Sequence, residues 1–224
     1  MRNYFILTAL IAFALFTLAC SNDKNSGSEG GDTAQSGSTT EEAVEQKTED
    51  TDNIDPDAIE KYDFRMANWG MSMEDVKKSE GREPELESEN TLDYSTVILG
   101  MQTQIGYTFN NDELIRGAFF FITKPETNND YIEKYEEIKE ELTKVNGKPV
   151  IDTEQSLDPY QTFAPEEKGD AVCNGDLLYA AQWDLPNTDI QLVLRGANNE
   201  CMLTVIYQSE ESLRQLIKER TKTE

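Results

Sequence analysis

The chain has 224 residues, with 44 acidic and 20 basic side chains, a formal charge of −24, no histidine and three cysteines. That charge excludes nucleic acid as a partner, because nothing here neutralises a run of phosphates. The lack of histidine excludes Ser-His-Asp and Cys-His catalysis and imidazole-ligated zinc.

In chain order the first element is 1–20. Arg2 precedes an apolar run over 4–18 that is broken only by Thr8 and Thr17. The run is shorter than the roughly 20 apolar residues that a membrane-crossing helix needs. A positive start, an apolar stretch and a small residue before a cut describe a secretory signal. Phe16-Thr17-Leu18-Ala19-Cys20 resembles the lipobox of bacterial lipoproteins. The resemblance implies cleavage before Cys20, acylation of its sulfur (palmitate among the chains) and often of the new amino terminus. Two or more acyl chains anchor stably where one is marginal. Ser21, not aspartate, follows the cysteine, which by the family rule implies the outer membrane if the cell is Gram-negative.

Residues 21–60 are rich in Ser, Gly, Thr, Asp and Glu, with 12 acids against Lys24 and Lys47. Such a segment buries too little apolar area to offset its ordering entropy, so it reads as a disordered acidic tether. A flexible coil of this length spans about 35 Å. Asp50, Asp52, Asp55 and Asp57 lack the glycine and distal glutamate of a calcium loop, since Lys61 stands twelfth from Asp50.

Periodicity starts in the body, 61–224. Ser72 caps a predicted helix, with Asp75 in the position of a capping box, Met71 and Val76 as a hydrophobic staple and Gly81 as the stop. Strands are predicted near 92–99, over 101–110 by strict alternation, and over 114–123, where Phe119, Phe120 and Phe121 suggest burial on both faces. Tyr131, Tyr135, Ile138, Leu142 and Val145 form the apolar stripe of a second helix, capped by Asp130 and Glu133 and ended by Gly147 and Pro149. Residues 150–172 read as a long connection. Three more strands are predicted near 177–183, 190–194 and 201–207, and a last amphipathic helix begins at Ser209. The order predicts an α+β domain with an antiparallel sheet and packed helices, arranged as two tandem helix-plus-three-strand units, 61–125 and 126–224.

Trp69-Gly70-Met71-Ser72-Met73-Glu74-Asp75-Val76 resembles the helix start of modules in uncharacterised bacterial envelope lipoproteins. It is also similar to BamE-like assembly lipoproteins and β-lactamase-inhibitor-like domains. The resemblance implies a short capped helix on a small antiparallel sheet and binding to another protein. Gly147-Lys148-Pro149 supplies the families' glycine-x-proline, but after the second helix rather than the first. Trp69 and Met71 read first as core residues.

With Cys20 acylated, Cys173 and Cys201 remain in a compartment that permits oxidation. They are candidates for a disulfide, with two buried free thiols as the alternative. No catalytic set, metal site or cofactor loop stands out. Glu136-Glu137, Glu140-Glu141 and Glu166-Glu167 are adjacent pairs that point apart on a helix and read as a solvated face. The chain is therefore expected to be a non-enzymatic protein-interaction module of the cell envelope, anchored through Cys20. The alternative is a lipoprotein that captures a glycan, lipid or small molecule. Tyr94, Tyr107, Tyr179, Trp183 and Tyr207 are the aromatic residues considered as anchors for a partner, against a core role.

Overall fold

The computed structural model describes residues 62–220. In chain order these form α1 (Met73–Glu80), β1 (Leu86–Glu87), β2 (Thr91–Ile98), β3 (Met101–Asn110) and β4 (Glu113–Phe121). Then come α2 (Asp130–Asn146), β5 (Ile151–Ser156), a single 3-10 turn at Pro165–Glu167, α3 (Lys168–Asn174), β6 (Leu177–Asp184), β7 (Thr188–Ala197), β8 (Glu200–Ser209) and α4 (Glu210–Arg220).

All eight strands belong to one antiparallel sheet in the order β1-β2-β3-β4-β8-β7-β6-β5. This corrects the expected fold class. The described residues do not make two tandem helix-plus-three-strand units with prominent helices. They make one continuous, strand-rich sheet carrying short helices. Two causes are visible. β4 pairs with β8 from Arg116↔Gln208 to Phe121↔Leu203, so no boundary separates 61–125 from 126–224. The stretch predicted as a connection holds the edge strand β5 and the helix α3.

The helix ends follow local chemistry. Ser72 is extended, and its hydroxyl oxygen accepts the Asp75 N–H at 3.2 Å while its O–H donates to Asp75 Oδ2 at 2.8 Å. Gly81, at φ +66°, closes α1 in the left-handed region that a glycine occupies without strain. At α2 the N-cap is Asn129 with no side-chain cap, so the expected cap by Asp130 and Glu133 is absent, and Asp130 instead closes the preceding turn with Thr127. Asp130 Oδ2 accepts the Thr127 N–H at 2.8 Å, and the Asp130 N–H donates to Thr127 Oγ1 at 3.3 Å. The α2 stripe buries Tyr131, Tyr135 and Ile138, while Val145 is 75% exposed, so the packed face ends one turn early.

Sheet register puts nearly every buried strand residue on one face. Leu92, Tyr94, Ile105 and Tyr107 lie there with Leu203, Leu192, Leu194, Tyr179 and Trp183. Val76 of α1, the α2 stripe and Val172 of α3 cover that face. One cluster forms under α1 and another under α2 and α3, and Phe119 and Tyr207 pack against both.

The sheet margins are closed by side chains. On β2, the Ser95 N–H donates to Glu85 Oε1 at 3.0 Å and the Ser95 carbonyl accepts Arg82 Nη2 at 2.9 Å. On β5, Asp152 and Glu154 form ion pairs with Lys139 at 3.2 Å and Lys168 at 2.7 Å. Charged or side-chain-capped margins discourage strand addition by another chain.

Candidate functional site

The Trp69–Val76 motif is structural in placement. Gly70, at φ +83°, lets its N–H reach the Leu114 carbonyl at 2.9 Å, and the Met71 carbonyl accepts the Leu114 N–H at 2.9 Å. Trp69 donates its indole N–H to Thr188 Oγ1 at 2.9 Å and its backbone N–H to Asp63 at 2.9 Å. Trp69 and Met71 pack, partly buried, against the α1 cluster, and Val76 is fully buried in it.

α1 ends on a buried, ion-paired carboxylate. The Glu80 side chain is 1% exposed and receives Arg65 Nε at 2.8 Å, Arg65 Nη2 at 3.2 Å and the Tyr107 hydroxyl. Arg82 stands 3.9 Å away and lies 5.0 Å above the Tyr94 ring. Burial pushes the Glu80 carboxyl up, but the hydrogen bonds from Arg65 and Tyr107 and the nearby positive charges outweigh it and hold it below its ordinary 4.5. Burial and then the Glu80 carboxylate push the Tyr107 phenol up. This carboxylate is enclosed and fully paired, so its chemistry is that of a clamp holding α1 to β3.

The five aromatic residues considered as anchors turn inward. Tyr94, Tyr107, Tyr179 and Trp183 are buried, and Tyr207 packs against both clusters with its phenol pushed up to about 12 by burial. They hold the core rather than face a partner. Cys173 and Cys201 form a disulfide that ties α3 to β8. Gly196 pairs with Cys201, and a Cβ there would strike the Val172 and Cys173 backbone, so the close approach of α3 requires a residue without one. Cys20 and the aspartates at 50, 52, 55 and 57 lie outside the described residues.

Among the described residues the opposite face of the sheet carries none of α1, α2 or α3, and α4 leaves β8 beside it, where Glu210 and Arg214 act on Asp189. Register sets out three rows across it. Gln104, Phe120, Thr204, Val193 and Ala180 form one, and Asp93, Gly106, Ala118, Ile206 and Gln191 the next. Thr108, Arg116, Gln208 and Asp189 form the third. These residues are half-buried, except for the buried Ala118 and Gln208. Phe120 leans over Gly106, where a Cβ would stand 3.2 Å from its ring. Burial raises the Asp93 carboxyl and, together with Asp184 and Glu210, that of Asp189. The result is a broad surface with a central apolar strip and polar flanks.

Two depressions accompany it. One, of about 330 Å³, opens beside Val97, Gln102 and Ile122, and the other, of about 420 Å³, lies between Trp69, Asn187 and Glu210. Both are shallow. No group of metal-ligating side chains occurs among the described residues. Glu136 and Glu137 form ion pairs with Lys139 and Lys134, and Glu140 and Glu141 with Lys144, on the outer face of α2. The sheet face opposite α1, α2 and α3 was not singled out by sequence reasoning, although the even-numbered positions of β3 and β8 point to it.

Residues 5–58 match the family model of the glutamine dumper transmembrane helix domain, which points to a membrane-associated protein. The match lies outside the described residues, and among those no helix is long and apolar enough to cross a membrane. No curated protein and no solved structure matches the chain.

Proposed function

We propose that this chain is an extracytoplasmic bacterial lipoprotein, anchored through acylated Cys20, whose sheet face binds another protein of the cell envelope. The reading is non-enzymatic. The observation that carries it is the sheet face opposite α1, α2 and α3, where Phe120, Val193 and Ile206 form an apolar strip within a polar surround. An apolar core inside a polar rim is the anatomy of a protein interface. The membrane-associated segment at 5–58 supports anchoring, and the lipobox resemblance supplies the chemistry. Capture of a small molecule calls for a concave, enclosing site, and the two shallow depressions suit it less well.

The test places a photoreactive amino acid at Thr204 of the full chain in cells, and at Glu137 on the outer face of α2 as a control. A protein adduct at position 204 and not at 137, retained by Phe120→Leu and lost with Phe120→Asp, is the expected result. Equal labelling at both positions overturns the reading of the sheet face. For the anchor, Cys20→Ala should leave the washed membrane fraction, and its full retention there defeats the lipoprotein reading.

A further inference from the structure

Arg116 stands in the third row of the face opposite α1, α2 and α3, between Thr108 and Gln208. It makes one hydrogen bond, a long one of 3.3 Å from Nη2 to the neutral Gln208 Oε1. Its Nε is buried with no acceptor. No carboxylate among the described residues pairs with it, although the whole chain carries 44 acids. Burial lowers its proton affinity, with no acidic neighbour to offset the effect. The Arg65 guanidinium on the other face is fully matched to Glu80, so the fold readily supplies a partner where a guanidinium serves packing. Holding an unmatched cation partly out of water costs stability, and the cost disappears when a carboxylate arrives.

We infer that Arg116 is the polar anchor of the sheet face and receives a carboxylate side chain or chain terminus of the protein docked there. This rests on the proposed docking role of that face. A carboxylate fits the planar guanidinium with paired hydrogen bonds. Its single charge also suits the setting better than a doubly charged phosphate does. Asp93 lies one row away in register, and Asp189 lies beyond Gln208 in the same row. Asp93, raised by burial with no charged neighbour, favours a basic group beside the carboxylate, while Asp189 already has Arg214 of α4 near it. The occupant is therefore an apolar protein patch bearing one acidic group flanked by lysine or arginine. A second copy of this strongly acidic chain fits that description poorly.

The experiment uses the full chain in cells, with the photoreactive amino acid at Thr204. Arg116→Met should lower the adduct about tenfold or more, the scale of a lost charge-assisted hydrogen bond. Thermal stability should hold or rise in the same variant, which a structural arginine would not allow. In a second arm, Arg116→Lys supplies an amine, and a carbodiimide joins it to any carboxylate in contact. Mapping that amide to an aspartate, glutamate or C-terminus of the captured protein is the expected result. An adduct undiminished by Arg116→Met overturns the role of Arg116 while the docking face stands. No adduct at Thr204 even in the parent chain fails the docking reading, and this inference with it. An amide to an acid of this same chain also overturns the inference, since an internal carboxylate would then own the site.

Discussion

The Phe64 ring lies flat on Gly117, in the place where any other residue of β4 would put its Cβ. From there it meets Tyr107, Phe119 and Tyr207 at centroid separations of 5.2, 5.0 and 5.2 Å, bridging β3, β4 and β8. One aromatic side chain thus closes the seam where β4 and β8 join the sheet. Gly117→Ala should cost about 1–3 kcal/mol through overpacking. In a urea titration the penalty should shrink when Phe64→Ala is also present, because the methyl then has room. Additive penalties would mean that the ring and the glycine are not coupled.

Cys173 in α3 and Cys201 in β8 close a loop of sequence separation 28. Chain-entropy reasoning assigns such a closure about 3–4 kcal/mol. The pair Cys173→Ser and Cys201→Ser should lower the unfolding free energy by that amount, and reductant should then have no further effect. The parent chain, denatured without reductant, should show neither of these thiols alkylated by mass. Two alkylated thiols would contradict the bridge.

Glu80 governs acid sensitivity. Its folded proton affinity lies below the ordinary 4.5, so its contribution is present above that value and is lost as pH falls through the folded value. Stability of the parent chain should decline below about pH 4.5 more steeply than that of Glu80→Gln. Asp93 and Asp189 are raised by burial and act in the opposite sense, regaining stability on protonation. At neutral pH Glu80→Gln should cost about 2–3 kcal/mol, at the low end for a broken interior pair because Arg65 keeps a quarter of its side chain in water. Parallel pH profiles for the two proteins would show that Glu80 is not the group responsible.

Ser72→Ala removes the acceptor for the Asp75 N–H at the start of α1. A loss of about 1 kcal/mol is expected, with Ser72→Thr, which keeps both the acceptor and the donor, restoring most of it. Amide exchange at Asp75 is the direct readout, and it should rise in Ser72→Ala alone. Unchanged protection there would show that the cap does not hold the helix start.

The predicted strand positions agree closely with β2, β3, β4, β6, β7 and β8, and in β3, β6 and β7 one buried face imposes strict alternation. β5 was missed for the converse reason. Ile151-Asp152-Thr153-Glu154-Gln155-Ser156 sits at the sheet margin with both sides largely in water, so no apolar rhythm marks it. α3 is a seven-residue helix, and its pattern is too brief to show a period. Cys173 and Cys201 were legible as a candidate pair from their number and the expected compartment, whereas α3 as the element that delivers Cys173 was not. For the aromatic residues weighed as anchors the core role is the one the structure shows, although alternation alone tells which residues share a face and not which face a helix will cover. For the same reason Arg116 was unremarkable as sequence. Its isolation depends on neighbours brought from β3 and β8.

Glu85 and Arg82 occupy the Ser95 amide and carbonyl at the rim of β2. A molecule tethered to a surface diffuses in two dimensions and collides with its own copies far more often than the same molecule in bulk. Under such crowding an open strand is a template on which the next copy can lay down its own, and growth of that kind is hard to reverse. Two side chains at one rim residue remove that template locally, so that crowding raises encounter frequency without seeding a ribbon of sheets across the membrane.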